Sequence, residues 1–339
     1  QYLLGTLDTQ GEYDPSFVDY QTYLTYKFSS KWEVGFIGNI SQNKYRFIPS
    51  DRNTSFGTLE DVKEFKVYFD GWETDLFRTM FGAAALNFTP NEYHQFTMQT
   101  SMFKTKEEET YDILGEYWLN EITTKENMGV GGYREHARNY LDADIKTAAL
   151  TGKHYLKSHD LRWGIEWKNE SFDDNQREWE LRDSVGYNIP SGGILRPVYS
   201  LVSKTSGSSN HFSLYLQDTY KFNSTLGTMS LNVGARISYW DWNKECIVSP
   251  RASLGLIPKF NENLTLRFAT GIYYQAPFYR EFRDTINSGG IATVQLNKNI
   301  KSPRSTHFVL GSDYLFKMAG RPFKFTAEAY YKKLDNIIP

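Results

Sequence analysis

Six histidines, one cysteine and a run of three glutamates are the residues of this chain whose types most readily do chemistry. His94, His136, His154, His159, His211 and His307 are scattered, and no two of them share the helical HExxH context of a zinc site. They read as polar-face, turn or loop residues, and no metal site is expected. A lone Cys246 excludes an internal disulfide and any Cys-based metal site. No GxSxG elbow or Walker-type loop is present, and Gly131-Gly132 and Gly192-Gly193 lie in polar stretches as turn glycines. No nucleophile and base can be assembled around His94 or His211. The chain is therefore not expected to be an enzyme, and it calls for no catalytic residue and no cofactor. Glu107-Glu108-Glu109 with Asp112 offers oxygen ligands of the kind that hold Ca²⁺, although a solvated acidic loop uses the same residues.

Two further groups suit binding better than catalysis. Arg236, Arg267, Tyr273 and Gln275 fall on the polar faces of neighbouring predicted strands. There they either contact a solute or a plug inside an enclosed space, or simply satisfy other charges. The stretch 171–209 carries Trp179, Arg182, Tyr187 and Tyr199, the aromatic and arginine content of a ligand-contacting surface. Aromatic packing within a large loop is the plainer reading of the same residues.

The elements that must position these residues are strands. Thr228–Trp240 (TMSLNVGARISYW) alternates strictly: Met229, Leu231, Val233, Ala235, Ile237 and Tyr239 against Ser230, Asn232, Gly234, Arg236, Ser238 and Trp240. A period of two puts the sets on opposite faces, one toward an apolar and one toward a polar surrounding. Its 13 residues reach about 43 Å, longer than the usual soluble strand and enough for a tilted strand to cross a bilayer.

The pattern repeats about twelve times, over Phe17–Phe28, Trp32–Ile40, Leu76–Phe88, His94–Phe103, Ala137–Leu150, His159–Lys168, His211–Phe222, Thr228–Trp240, Val248–Ile257, Leu264–Gln275, Ser305–Phe316 and Pro322–Leu334. Connections after Phe28, Phe88, Leu150, Phe222, Ile257 and Phe316 are short. Long extracellular loops are expected near 41–75, 104–136, 169–210 and 276–304, with the brief gap after Trp240 as the exception. Short turns on one side and long loops on the other is the outer-membrane barrel pattern, and four of the six short turns follow a phenylalanine, as an interfacial girdle requires. Asp218 breaks the rule by falling among Leu214, Leu216 and Tyr220, so a bulge or an interfacial depth is expected there.

Composition agrees. The 339 residues carry 38 Lys and Arg against 40 Asp and Glu, which with the absence of a basic run argues against a nucleic-acid partner. Aromatics reach 16%, mean hydropathy is −0.55, and no apolar run approaches the ~18 residues of a transmembrane helix. Barrel strands alternate, so that hydropathy is compatible with a membrane. A soluble propeller or sandwich also alternates, but with shorter strands and loops not sorted by side. QYLLGTLD lacks a signal-peptide pattern, and the chain reads as part of a mature, longer protein.

SPRASLGLIPKFNENLTLRFATGIYYQAP (Ser249–Pro277), YLQDTYKF (Tyr215–Phe222) and EAYYKKLDNIIP (Glu328–Pro339) resemble the barrel of TonB-dependent outer-membrane receptors. HDLRWGIEWKNESFDD (His159–Asp174) with EWELRDSVGYNIP (Glu178–Pro190) is similar to the form found in the Bacteroidota. The resemblance covers essentially the whole chain. It implies an all-β, antiparallel transmembrane β-barrel of about 22 strands, of which residues 1–339 are a part, with a plug domain and TonB box outside this chain. It also implies a place in the Gram-negative outer membrane, surrounded by its lipid. The activity implied is import of a bulky nutrient such as a glycan, peptide or metal chelate, driven by the TonB-ExbB-ExbD complex through the plug, with a surface lipoprotein as a further partner. The alternative is a barrel that serves as a scaffold in a multiprotein surface complex without transport.

Overall fold

The computed structural model describes residues 11–58, 62–121, 125–184, 197–289 and 291–338. Fifteen strands lie in one sheet: β1 (Gly11–Lys27), β2 (Trp32–Pro49), β3 (Arg52–Gly57), β4 (Val62–Asn91), β5 (His94–Glu121), β6 (Glu126–Leu156), β7 (His159–Ser184), β8 (Tyr199–Asn223), β9 (Gly227–Trp240), β10 (Glu245–Pro258), β11 (Leu264–Tyr274), β12 (Arg283–Ser288), β13 (Ile291–Leu296), β14 (Arg304–Met318) and β15 (Arg321–Asp335). Twelve of them form a continuous antiparallel path, β1-β2-β4-β5-β6-β7-β8-β9-β10-β11-β14-β15. The ends β1 and β15 do not pair with each other, so the sheet is an unclosed part of a barrel wall. Among the described residues no helix is long and apolar enough to cross a membrane.

The two faces of the sheet differ as β9 foretells. Leu231, Val233 and Ile237 are 37%, 50% and 45% exposed, whereas Asn232, Arg236 and Ser238 are half-buried. Apolar side chains are thus the more exposed set, the inverse of a water-soluble sheet. Across neighbouring strands the same outer face carries Leu150, Ile165, Leu214 and Ile237 in register. At the short-turn end it carries an aromatic belt. Trp32 stacks on Phe88 at 4.2 Å, Phe88 on Phe96 at 6.3 Å, Tyr220 on Phe222 at 5.0 Å and Phe316 on Phe323 at 5.6 Å.

The stretches expected to be long loops are largely strand. β4, β5 and β6 run for 30, 28 and 31 residues, two to three times the ~9–11 that cross a bilayer. Past Met102 the outer face changes from apolar to paired charge: Lys104–Asp144 at 3.7 Å, Lys106–Asp142 at 3.2 Å and Arg78–Glu108 at 3.0 Å. The outer face is charged there, while the inner face mixes acidic Glu107 and Glu109 with buried Val67, Leu141 and Ala143. The apolar-out, polar-in alternation therefore disappears while backbone pairing continues, through one bulge at Tyr117/Trp118. The ends of alternation at Phe103 and Lys168 therefore mark an edge of the apolar band rather than the ends of strands. Thr151–His154, expected to be a turn, continues β6, and the chain reverses at Lys157-Ser158 with Lys157 at φ 51°.

Asp218 does face outward, with no bulge in the β7–β8 or β8–β9 register. It sits near the short-turn end, and the His159 ring N–H bonds its carboxylate at 2.6 Å. The bulge is thus excluded, which leaves the interfacial depth.

The conventional core lies on the inner face. Residues beyond β11 turn back over the sheet as a strap: a 3-10 turn at Tyr279–Phe282, then the β12–β13 hairpin. Phe282 is buried among Phe172, Trp240 and Trp242, with Leu141 and Ala143 beside them. The expected loop at 276–304 is thus folded inward against the wall.

Candidate binding site on the inner face

Arg236 lies on the inner face of β9, paired in register with Tyr215 of β8 and Ser249 of β10. Its guanidinium stands 5.5 Å from the Tyr215 ring centroid. Arg251 of β10 pairs with Gly234 and Gly271, and its guanidinium stands 4.5 Å from the Tyr273 ring. A Cβ added at Gly271 would come within 3.2 Å of the Arg251 side chain, so glycine leaves room for the arginine to lie across the sheet. These residues, with Gln217, Asn232, Ser253 and Thr270, line a concavity of about 380 Å³. Among the described residues neither arginine has a carboxylate partner. Tyr273 also packs on His307 at 4.8 Å, and His307 shares a 2.6 Å hydrogen bond with Ser305.

The other expected site residues lie elsewhere. Arg267 shares the inner face but is six residues from Tyr273, roughly 20 Å along the strand. It is neutralised by Asp313 at 3.3 Å and Glu328 at 3.2 Å, with Lys324 at 3.4 Å from Asp313 completing the network. For Arg267 the reading that charges satisfy one another is the one that fits. Gln275 is exposed just past β11, where its backbone N–H donates to Pro303 O at 3.1 Å.

Trp179 and Arg182 belong to β7, not to a loop, and point to opposite faces. Trp179 faces outward, stacked on His136 at 5.2 Å with Arg134 5.7 Å from its ring. Arg182 faces inward and pairs with Glu180. Trp179 pairs with Ser200 on β8, whereas Arg236 pairs with Tyr215, so about 50 Å of strand separates the two groups. Tyr187 and Gly192-Gly193 lie outside the described residues.

The acidic run is divided by the pleat. Glu108 and Asp112 face outward, toward Arg78 and toward His136 and Arg138 respectively. Glu107 and Glu109 face inward, where Glu107 meets Arg280 of the strap and Asp174 of β7 meets Arg283. A second concavity of about 330 Å³ lies between this acidic wall and the two strap arginines. Carboxylate oxygens of Glu73, Asp75 and Glu109 lie within 4.8 Å of one another, on strand beyond the apolar band. Burial, then mutual repulsion, pushes the Glu73 and Asp75 carboxyls above their ordinary range. Burial also acts to raise Asp112, but the bonds from His136 and Arg138 outweigh it and hold Asp112 low.

Arg251, Tyr215, Glu73 and the strap arginines were not singled out by the sequence. A signal for Arg251 existed: two arginines on polar faces of consecutive strands joined by a short turn. The strap contacts left none, since Arg280 and Glu107 lie 173 residues apart.

A wall with exposed apolar and shielded polar faces, an aromatic belt and a strap folded against its inner side defines an outer-membrane β-barrel protein. The family profile described as "TonB dependent receptor-like, beta-barrel" matches residues 3–338, and the chain belongs to that family. It is a family of receptors and transporters in the Gram-negative outer membrane, whose members act with the TonB system. Among solved structures the chain is similar to the RagAB peptide transporter (9% identity, TM-score 0.46, covering 95% of this chain and 44% of that one). It is also similar to the ferric enterobactin receptor PfeA of Pseudomonas aeruginosa (13%, 0.41, 96% and 53%) and to BauA, the ferric preacinetobactin receptor of Acinetobacter baumannii (10%, 0.44, 94% and 53%). The chain spans about half the length of these structures. No curated protein matches it.

Proposed function

We propose that this chain is part of the wall of a plugged channel that imports a bulky nutrient, a glycan, peptide or metal chelate, across the outer membrane. The observation that supports the reading is the two-sided wall of β9: Leu231, Val233 and Ile237 outward, Asn232, Arg236 and Ser238 inward. Family membership supports it independently. In this reading the TonB-ExbB-ExbD complex supplies the energy through a plug domain, and a surface lipoprotein helps to deliver the nutrient. The inner-face arginines and tyrosines and the strap contact the solute or the plug. The chain itself performs no covalent chemistry.

The test is uptake by the intact protein. Deletion of its gene should abolish growth on, or accumulation of, one nutrient class; restoring the gene should recover it, and removing TonB should abolish it again. Uptake unchanged by deletion under every nutrient tried would defeat the proposal.

A further inference from the structure

We propose that Arg236 and Arg251 form a binding site for a carboxylate-bearing ligand on the inner face of the wall. Three observations carry it. The two side chains are diagonal neighbours on adjacent antiparallel strands, since Arg236 pairs with Ser249 and Arg251 with Gly234. That places their Cα atoms about 7–8 Å apart. Each guanidinium is held near a tyrosine ring, which orients the cation without neutralising it. Finally, each lacks an acidic partner among the described residues, whereas neighbouring inner-face cations are engaged: Arg267 by Asp313 and Glu328, Arg162 by Asp160, Lys168 by Glu170.

The surroundings are suited to an anion. Gln217, Asn232 and Ser253 add uncharged donors to the rim of the concavity. The closest unengaged carboxylate by register is Glu166 of β7, two strands from Arg236 and three from Arg251, and outside the lining. Two guanidinium forks accept carboxylates in bidentate fashion, which a lysine pair cannot reproduce. Their spacing suits a ligand that carries two carboxylates. Such groups come either from a free polycarboxylate solute or from acidic side chains of a polypeptide domain that fills the barrel. The import reading decides only which source matters biologically.

The experiment uses the full-length protein in detergent, with citrate as the free probe. Citrate binding measured by calorimetry should weaken about tenfold or more in Arg236→Gln/Arg251→Gln, the effect of losing charge-assisted hydrogen bonds. Arg251→Lys, which keeps the charge and is the gentler variant for folding, should lose part of that affinity. If citrate does not bind the unaltered protein, hydrogen exchange separates the second source: the double variant should then speed exchange in a segment outside residues 1–339. Citrate affinity equal in all three proteins overturns the proposal. So does an absence of citrate binding together with unchanged exchange. An unaltered protein that binds citrate yet supports no uptake would remove the import reading and leave the site.

Discussion

Asp218 lies on the apolar side of the wall, and the ring N–H of His159 reaches its carboxylate at 2.6 Å. Tyr220 stacks on the same imidazole at 4.6 Å. An acid on this face is tolerated because it sits at the short-turn end, beside a partner that enters from the start of the next-door strand. His159→Ala should therefore destabilise the barrel by about 0.5–1.5 kcal/mol, because it removes the hydrogen bond to the carboxylate. His159→Ala combined with Asp218→Leu should recover most of that loss. Heat-dependent gel mobility of the folded protein measures both.

The apolar band is bounded by charge pairs, which gives depth a measurable consequence. Leu214→Arg, in register with Ile165 and Ile237, should cost about 2–4 kcal/mol. Ser206→Arg lies on the same outer face beyond the band, paired in register with Asp173, and should cost close to nothing. Urea unfolding in lipid vesicles reports the difference.

Alternation itself can be read with labels. With Cys246→Ser as background, a spin label at Leu231 should be quenched by oxygen dissolved in lipid. One at Asn232 should respond to a water-soluble nickel reagent instead. The same environment at both positions would remove the two-sided wall and the function proposed from it.

Phe282 anchors the strap, buried against Phe172, Trp240 and Trp242. Phe282→Ala should cost about 3–5 kcal/mol of local stability. Because the strap is also tied by Arg280–Glu107 and Arg283–Asp174, the loss should appear as local opening rather than unfolding. Trypsin cleavage at Arg280 and Arg283 should accelerate while the strands stay folded.

The Glu73 and Asp75 carboxyls give the pH dependence a sign. Carboxyls raised in the folded protein bind protons more tightly there than in the unfolded chain. Their contribution to stability is present below the ordinary carboxylate range and fades as pH rises through their elevated values. Asp75→Asn should accordingly raise the melting temperature of the full-length protein near neutral pH, by about a few degrees at most, and leave it unchanged in acid. An equal shift at both pH values would show that the buried charge of Asp75 is not the cause.

The residue order alone determined the class of fold and the two faces of each membrane-crossing strand. Alternation over Thr228–Trp240 is a local property, and lipid on one side with water on the other imposes it directly. The oddity of Asp218 was legible for the same reason. The extent of the strands was not: from Lys104 and Asn169 onward the outer face turns charged and the inner face packs apolar side chains under the strap, so the side chains stop reporting a pairing that the backbone keeps. Only the tertiary structure decided which inner-face residues meet. It placed Arg236 diagonal to Arg251, set Arg267 among its own carboxylates, and turned Trp179 to the outside. It also carried Arg280 and Arg283 back to Glu107 and Asp174. Those contacts depend on register between strands and on closure across more than a hundred residues, and no local pattern in the sequence encodes either.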